Sequence, residues 1–303
     1  PWFVPDMSYA ALNDIKRVVA VVEPGSEVQP AIERMKLLAR FVDFDVKLVA
    51  CDYSQYLVEG YYFSEAELPA LRNEYLGERK EMLEALAGPL RDGGLTVETE
   101  AIWSHPSYKA IVEVVEDYKP DLVIHHVHRH AALSRILLTN DDWQMARHCP
   151  APLLMVKNKP WKHDPVILAA VDPMHARHKP GGLDHKILAE GKLLEEKLSG
   201  ALYVVHAYGQ FPLSGIYPAD ASEQHENALN TLADEFEIPE DRRLLVDEAP
   251  EYAMQKLENE LQADLVIVGA VSRSVVTDVF IGSTTEKVLD FLDCDALLLR
   301  PEN

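Results

Sequence analysis

The chain has 303 residues, of which 48% are hydrophobic and 26% are charged, and its formal net charge at pH 7 is −21. A chain of this length usually forms two globular domains, and so acidic a protein is not expected to bind DNA or RNA, which need clustered Lys and Arg. No apolar run is long enough to span a membrane, and the opening residues lack the layout of a signal peptide. The three cysteines, Cys51, Cys149 and Cys294, are widely spaced, which favours buried reduced thiols and a cytoplasmic location.

The first half of the chain alternates between strand and helix patterns. It opens with the β-branched run R-V-V-A-V-V, which is followed by Pro24 and Gly25 as a buried strand entering a loop would be. Helical spacing of apolar residues follows, and Gly93 and Gly94 end the longest helical pattern. The predicted elements are strands at 17–22, 46–51, 95–103, 121–126 and 152–156, and helices at 29–42, 65–90, 107–118 and 141–147.

The second half repeats this order. The stretch 157–165 contains Pro160 and Pro165 and few apolar residues, so we expect a linker there, between a domain at 1–157 and a domain at 158–303. The predicted elements of the second domain are strands at 166–171, 201–207, 244–247, 265–268 and 296–299, and helices at 183–198, 222–236, 251–261 and 282–292. Such alternation predicts, in each half, a five-stranded parallel sheet of the doubly wound, Rossmann-like type with helices on both faces.

Two segments show that the halves are repeats. The first half contains D-L-V-I-H-H from Asp121 and the second contains D-L-V-I-V-G from Asp264, 143 residues later. The second copy continues from Gly269 to Gly282 and Ser283 with small residues where a strand would lead into a helix. A helix start of this kind can hold phosphate, because its free N–H groups and dipole favour an anion.

The residues from Asp264 to Arg300 resemble the universal stress protein family, whose nucleotide-binding members carry G-x2-G-x9-G-[ST] between the fourth strand and the last helix. Here Gly269, Ser272, Gly282 and Ser283 keep that spacing, with serine in place of the second glycine. The resemblance extends over both halves and is to tandem members of the family. It implies the strand order 3-2-1-4-5, halves packed as an intramolecular pseudo-dimer, and an adenine nucleotide at the carboxyl ends of the strands.

The resemblance also implies roles for individual residues. Asp172 would lie near the ribose and near any Mg²⁺ held with the nucleotide, His206 or Ala207 would offer backbone groups to the adenine edge, and Gly269 would allow the ribose to approach. The residues expected around the phosphates are Ser272, Arg273, Gly282, Ser283 and Thr284.

Three of these residues also have an interpretation that needs no ligand. Ser283 and Glu286 have the spacing of a helix capping box, and Asp172 before Pro173 could open a turn. Arg273 could be a solvated loop charge. The glycine at the correct distance upstream favours the phosphate site over the capping box alone.

The first half does not match the nucleotide motif. Glu23 stands at the position that corresponds to Asp172, and the glycines of the motif are absent. Asp141 and Asp142 can themselves accept hydrogen bonds from the free N–H groups at the start of the last helix. The histidines of this region, His105, His125, His126, His128 and His130, invite a zinc hypothesis. No spacing typical of zinc modules is present, so hydrogen-bonded histidines are the expected alternative, with no metal held by the protein alone.

The sequence therefore predicts a cytoplasmic stress-response sensor or regulator that binds ATP or a related adenine nucleotide in its second half. One alternative is a slow ATP hydrolase, although no dedicated base for phosphoryl transfer is evident, so we do not expect a fast enzyme. The other is a binder of an apolar, acyl or other small molecule, in which His126 and Arg129 of the first half contact the ligand and Leu133, Ile136 and Leu137 line the pocket. The sequence leaves open whether two chains form a homodimer.

Overall fold

The computed structural model describes residues 11–57, 63–127, 138–174, 182–209, 221–270 and 282–301. The chain divides into two compact units. The first unit takes its described residues from Ile15–Val127 and Thr139–Val156. The second takes its described residues from Lys157 onward, together with Ala11–Asp14 and Leu138.

The first unit alternates strands and helices throughout. Its strands are β1 (Arg17–Val22), β2 (Asp45–Asp52), β3 (Val97–Trp103), β4 (Leu122–His126) and β5 (Leu153–Val156). Its helices are α1 (Pro30–Leu38), α2 (Leu68–Asp92), α3 (Ser107–Tyr118) and α4 (Asn140–His148), with a 3₁₀ turn at Gln55–Leu57.

The second unit has the same order of elements. Its strands are β6 (Val166–Ala170), β7 (Ala201–Ala207), β8 (Arg243–Val246), β9 (Leu265–Gly269) and β10 (Asp295–Leu299). Its helices are α5 (Leu183–Leu198), α6 (Ala221–Glu235), α7 (Pro250–Leu261) and α8 (Ser283–Phe291), with 3₁₀ turns at Ala11–Asp14 and Glu240–Arg242.

Both units contain a parallel sheet, and the two sheets have the same strand order. In the first unit the order is β3-β2-β1-β4-β5, and in the second it is β8-β7-β6-β9-β10. The described strand pairs within each unit are all parallel. The α/β fold predicted from the alternating pattern is therefore confirmed, and each order corresponds to 3-2-1-4-5.

The strands form because their residues are buried on both faces. Val18 to Val22 in β1 and Leu297 to Leu299 in β10 are at most 9% exposed, as expected for strands covered by helices on each side. The predicted elements are all present, several with identical ends. The largest difference is α1, which ends at Leu38, four residues before the predicted end, because the hydrogen bonds then change to the i→i−3 pattern, from Arg40 N to Leu37 O and from Phe41 N to Leu38 O.

The aspartate of each D-L-V-I segment has a structural role. Asp121 Oδ2 accepts hydrogen bonds from the backbone N–H groups of Lys16 and Arg17, at 2.8 and 2.9 Å. Asp264 Oδ2 accepts from Val166 N at 3.0 Å in the second unit. Each aspartate thus satisfies a backbone donor at the entry of the neighbouring central strand, which explains why both repeats keep it.

The stretch 157–165 is bound to the second unit over most of its length. Asp295 accepts hydrogen bonds from Lys157 N at one carboxylate oxygen and from Trp161 Nε1 at the other, both at 2.8 Å. Lys162 N bonds to Asp264 Oδ1 at 3.3 Å. The segment that composition predicts as a linker is therefore fixed by two buried carboxylates of the second unit.

The turn Ala11–Asp14 also belongs to the second unit, although it precedes β1 in the chain. Leu12 N donates a 3.0 Å hydrogen bond to Glu190 Oε1, and both residues are buried. Local sequence gives no sign of this contact, because the two residues are 178 positions apart.

Two further sequence predictions concern thiols and membranes. Cys149 and Cys294 are buried as predicted, whereas Cys51 is half-buried. Burial, together with the charge of Asp52, raises the pKa of the Cys51 thiol to about 12. Within the described residues no helix is both long enough and apolar enough to cross a membrane.

Candidate functional site

The candidate site lies at the carboxyl ends of the strands of the second unit. Strand β6 is central, and the chain passes from it to β7 on one side and later to β9 on the other. Doubly wound sheets leave a crevice at such a reversal point. Asp172 follows β6 and Gly269 ends β9, so the sheet brings these two predicted site residues to the two sides of the crevice.

The start of helix α8 has no side-chain cap. Gly282 is the N-cap, with φ −61° and ψ 142°, and the helix begins where Glu286 N bonds to Gly282 O at 3.1 Å. The capping box suggested by Ser283 and Glu286 is not formed with Ser283 as the cap, because Ser283 is already the first helical residue. A glycine N-cap offers no side-chain oxygen to the first N–H groups of the helix.

Helix α8 is also tied to β9. Thr285 Oγ1 donates a 2.8 Å hydrogen bond to the carbonyl oxygen of Gly269, which fixes the first turn of the helix over the end of the strand. Ser283 and Thr284 are exposed at this end. Their hydroxyl groups, together with the first backbone N–H groups of the helix, form a surface suited to an anion.

The equivalent helix of the first unit, α4, is closed. Its N-cap Thr139 accepts a hydrogen bond from Asp142 N at 3.1 Å, and Asp142 Oδ2 accepts from Thr139 N at 2.8 Å, which completes a capping box. Burial acts to raise the pKa of Asp142, but hydrogen bonds with His125 and Thr139 and the charge of His125 hold it below its ordinary value. A carboxylate therefore lies at the start of α4, the position that corresponds to the predicted phosphate site of the second unit.

Two histidines of β4 also pair with carboxylates in the first unit. His126 Nδ1 lies 3.0 Å from Glu23 Oε2, so a histidine of β4 engages the carboxylate that follows β1. His125 Nε2 lies 2.8 Å from Asp142 Oδ1. Arg129 and the predicted apolar wall of Leu133, Ile136 and Leu137 lie outside the described residues, as do His128 and His130.

The backbone of Asp172 is hydrogen-bonded to helix α5. Its backbone N–H donates a 3.2 Å hydrogen bond to Oδ1 of Asp184, a buried residue in the first turn of that helix. This places the backbone of Asp172 at the crevice and leaves its side chain half-exposed. In the part of the chain that the structure describes, no group of three His, Cys, Asp or Glu side chains is arranged to hold a metal ion.

The adenine-edge position predicted at His206 or Ala207 lies at the end of β7. Val171 N bonds to Val205 O at 2.9 Å, so the peptide groups of Val205 and, by the alternation of a strand, of Ala207 face the crevice side. Tyr208 N instead bonds to Val246 O of β8. By this alternation the backbone of Ala207 faces the side of β6, whereas the backbone of His206 faces β8.

Gly269 has a packing role that the sequence did not reveal. A Cβ added to this residue would lie 2.5 Å from Leu183 Cδ2 and 3.2 Å from Leu183 Cγ. A side chain at position 269 would therefore force the side chain of Leu183 in α5 to move. That Gly269 also allows the ribose of a nucleotide to approach stays a prediction.

The structure brings seven of the nine predicted nucleotide contacts to this end of the second unit. They are Asp172, His206, Ala207, Gly269, Gly282, Ser283 and Thr284. Ser272 and Arg273 lie outside the described residues. Three further residues of the crevice were missed by the sequence reading: Asp184, Tyr208 and His225.

A signal for two of the missed residues does exist in the sequence. His206 and Tyr208 are two apart in a strand, and Ser222 and His225 are three apart in a helix, so each pair shares a face. The two faces meet, because Tyr208 OH donates to Ser222 Oγ at 3.0 Å.

The family model for universal stress proteins matches residues 14–157 and again residues 167–300. The chain belongs to the universal stress protein family. Its two repeats correspond to two consecutive matches to that model, which together cover most of the sequence.

Curated relatives of the same length support this assignment. Universal stress protein E of Escherichia coli (strain K12) is 27% identical over 300 residues, covering 95% of this chain and 94% of the relative. The universal stress protein E homolog of Haemophilus influenzae is 26% identical over 302 residues, covering 94% and 97%. The resemblance to tandem universal stress proteins is thus confirmed.

Solved structures show the same fold. A protein from Pseudomonas aeruginosa UCBPP-PA14, described as a candidate universal stress protein, aligns with a TM-score of 0.77 at 24% identity, over 96% of this chain and 95% of that one. A universal stress protein from Archaeoglobus fulgidus DSM 4304 aligns with a TM-score of 0.65 at 13% identity, over 94% and 98%.

Proposed function

We propose that the second unit binds ATP or a related adenine nucleotide and that the protein acts through this binding as a cytoplasmic stress-response sensor or regulator. The observation that carries the proposal is the glycine N-cap of α8, set against the capping box of α4. Two repeats of one fold differ at the place where a phosphate would bind, and only the second leaves the helix start open.

The surroundings of α8 support an anionic ligand with a bound cation. Asp172 lies on the other side of the same crevice, where a carboxylate can share a Mg²⁺ ion with nucleotide phosphates. Ser272 and Arg273 belong to the proposed phosphate site by their spacing from Gly269. The base would meet the backbone of Ala207 at the end of β7.

A role as a binding protein fits this arrangement better than a role as a fast enzyme. Phosphoryl transfer needs a positioned base or water and compensating cations. The described start of α8 presents backbone amides and the hydroxyl groups of Ser283 and Thr284 instead. Such groups can bind an anion by hydrogen bonds, but they do not supply a base.

The test transplants the cap of the first unit into the second. Gly282 and Thr285 correspond to Thr139 and Asp142, so the double variant Gly282→Thr, Thr285→Asp should rebuild the capping box at α8. Isothermal titration calorimetry with ATP and Mg²⁺ should give one site per chain in the wild type and at least tenfold weaker binding in the variant. A gained cap adds about 1 kcal/mol to helix stability. Thr285→Asp also removes the hydrogen bond to the carbonyl oxygen of Gly269, so urea unfolding must show that the variant is folded under the conditions of the titration.

A matched control accounts for the added negative charge. Thr231→Asp adds one carboxylate to an exposed position of α6 and should leave ATP affinity unchanged. Two equal sites per chain, or full affinity in the double variant, would show that the start of α8 is not the phosphate site.

A further inference from the structure

Four side chains form a hydrogen-bonded cluster between β7 and α6, which we call the histidine cluster: His206, Tyr208, Ser222 and His225. His206 Nε2 lies 2.7 Å from His225 Nδ1, and Tyr208 OH donates to Ser222 Oγ at 3.0 Å. The rings of Tyr208 and His225 are stacked, with centroids 4.2 Å apart. The cluster connects the strand end that is proposed to meet the base with the first turns of α6.

The partner of the other nitrogen fixes the tautomer of His206. Its Nδ1 lies 3.2 Å from the carbonyl oxygen of Val171, which can only accept, so Nδ1 carries the hydrogen. In the neutral ring Nε2 then accepts, and His225 Nδ1 donates to it. His206 therefore bridges the residue before Asp172 to helix α6.

This bridge tolerates one added proton and not two. A single proton can sit on either ring, because one nitrogen of the facing pair still donates and the other still accepts. If both rings are cationic, two N–H groups face each other across 2.7 Å and the hydrogen bond is lost. The pair is thus a junction that acid can open.

Among the described residues, the charges that act on His206 come from three elements. Asp172 beyond β6 and Asp184 of α5 favour its cationic form, whereas His225 of α6 opposes it. Burial is the largest influence, since His206 is 1% exposed, and it lowers the pKa of this imidazole below the ordinary value of 6.5. Near neutral pH His206 is therefore the neutral acceptor, and the bridge is closed.

We propose that His225 is a positioning residue of the nucleotide site: through His206 it holds the ends of β6 and β7 in place, and acid opens the pair and releases the nucleotide. This regulation rests on the proposed function of the second unit. The link is short, because Val171 directly precedes Asp172 and His206 directly precedes Ala207. Both of these neighbours are proposed nucleotide contacts.

The variant that tests the proposal is His225→Asn in the full chain. An asparagine amide can present either its oxygen or its nitrogen to His206, so it suits both the neutral and the cationic ring. The variant loses the ring stacked on Tyr208, so its affinity for ATP at pH 7.5 is the reference for its own pH profile. Between pH 7.5 and 5.5 the wild type should lose more affinity than the variant, by less than about tenfold. Each linked proton changes affinity by at most about tenfold per pH unit, and the pKa of His206 lies below its ordinary value of 6.5.

The control is His163→Asn, which removes a histidine whose side chain is 94% exposed. It should follow the wild-type pH profile, and comparing the variants with one another cancels the titration of ATP itself. If His225→Asn shows the same loss as the wild type, the proposal is wrong while nucleotide binding stands. If ATP binds at no pH, the proposed function fails together with it.

A second measurement uses the wild-type protein alone. Long-range ¹H–¹⁵N NMR of the histidine rings at pH 7.5 should show His206 as the Nδ1–H tautomer. A hydrogen on Nε2 with a bare Nδ1 would overturn the proposal even if the His225 variant does not fold.

Discussion

Thr139 and Gly282 occupy the same place in the two repeats, 143 residues apart, yet only Thr139 closes the helix that it begins. The threonine hydroxyl accepts from the N–H of Asp142 in the first turn of α4, and the Asp142 carboxylate accepts from the N–H of Thr139 itself. In α8 the N-cap Gly282 has no side chain that could accept a hydrogen bond from the corresponding N–H group. The difference between a closed and an open helix start therefore distinguishes two units of the same fold.

Thr139→Ala should destabilise the first unit by about 1 kcal/mol, the usual cost of losing an N-cap hydroxyl. Urea unfolding monitored by tryptophan fluorescence would measure this loss. Nucleotide affinity should not change, because α4 is not the proposed site. Weaker ATP binding in this variant would place the first unit in the nucleotide site.

The stability of the first unit should depend on pH through Asp142. Its pKa is lowered in the folded protein, so its contribution is complete above the unfolded value of 3.8 and is lost progressively as the pH falls below that value. Urea midpoints at pH 5.0 and pH 3.0 should differ less in Asp142→Asn than in the wild type. Equal pH dependence in both proteins would contradict a native role for the ionised carboxylate.

Gly269→Ala should destabilise the second unit by about 1 to 3 kcal/mol, because the new methyl group would overlap Leu183. In a Leu183→Ala background the cost of Gly269→Ala should be smaller, because the overlapping side chain is gone. A double-mutant cycle on urea unfolding free energies measures the coupling, and simple additivity would show that Leu183 does not impose the glycine.

Asp172→Ala should weaken ATP binding, and the loss should be larger with Mg²⁺ than without it, since a carboxylate that shares the ion acts through the ion. Calorimetric titrations with and without Mg²⁺ give both affinities. Asp164→Ala, at an exposed acid of the segment 157–165, is the matched control. Unchanged affinity under both conditions would leave Asp172 as a turn residue only.

Turnover of ATP should be slower than about one per second, the lower end of the usual enzyme range. The reason is that binding groups surround the proposed phosphate position without a dedicated base. A phosphate-release assay at saturating ATP decides this, with Gly282→Val as the background control. A rate faster than about one per second in the wild type but not in Gly282→Val would favour the hydrolase alternative.

The sequence by itself determined the order of the elements, the two repeats and the family. Strand and helix patterns depend on residues a few positions apart, so runs such as Arg17–Val22 and Ser107–Tyr118 could be predicted with their ends. The open and closed helix starts were also foreseeable, because the N-cap and its partner lie within four residues of each other.

Only the tertiary structure decided the contacts between distant segments. Leu183 against Gly269, Leu12 with Glu190, Trp161 with Asp295 and His206 with His225 each join residues that no local pattern relates. Their positions follow from the packing of helices on the sheets and from the need to pair buried polar groups. Periodicity predicts which face of an element is buried, whereas the partner it meets depends on the three-dimensional path of the whole unit.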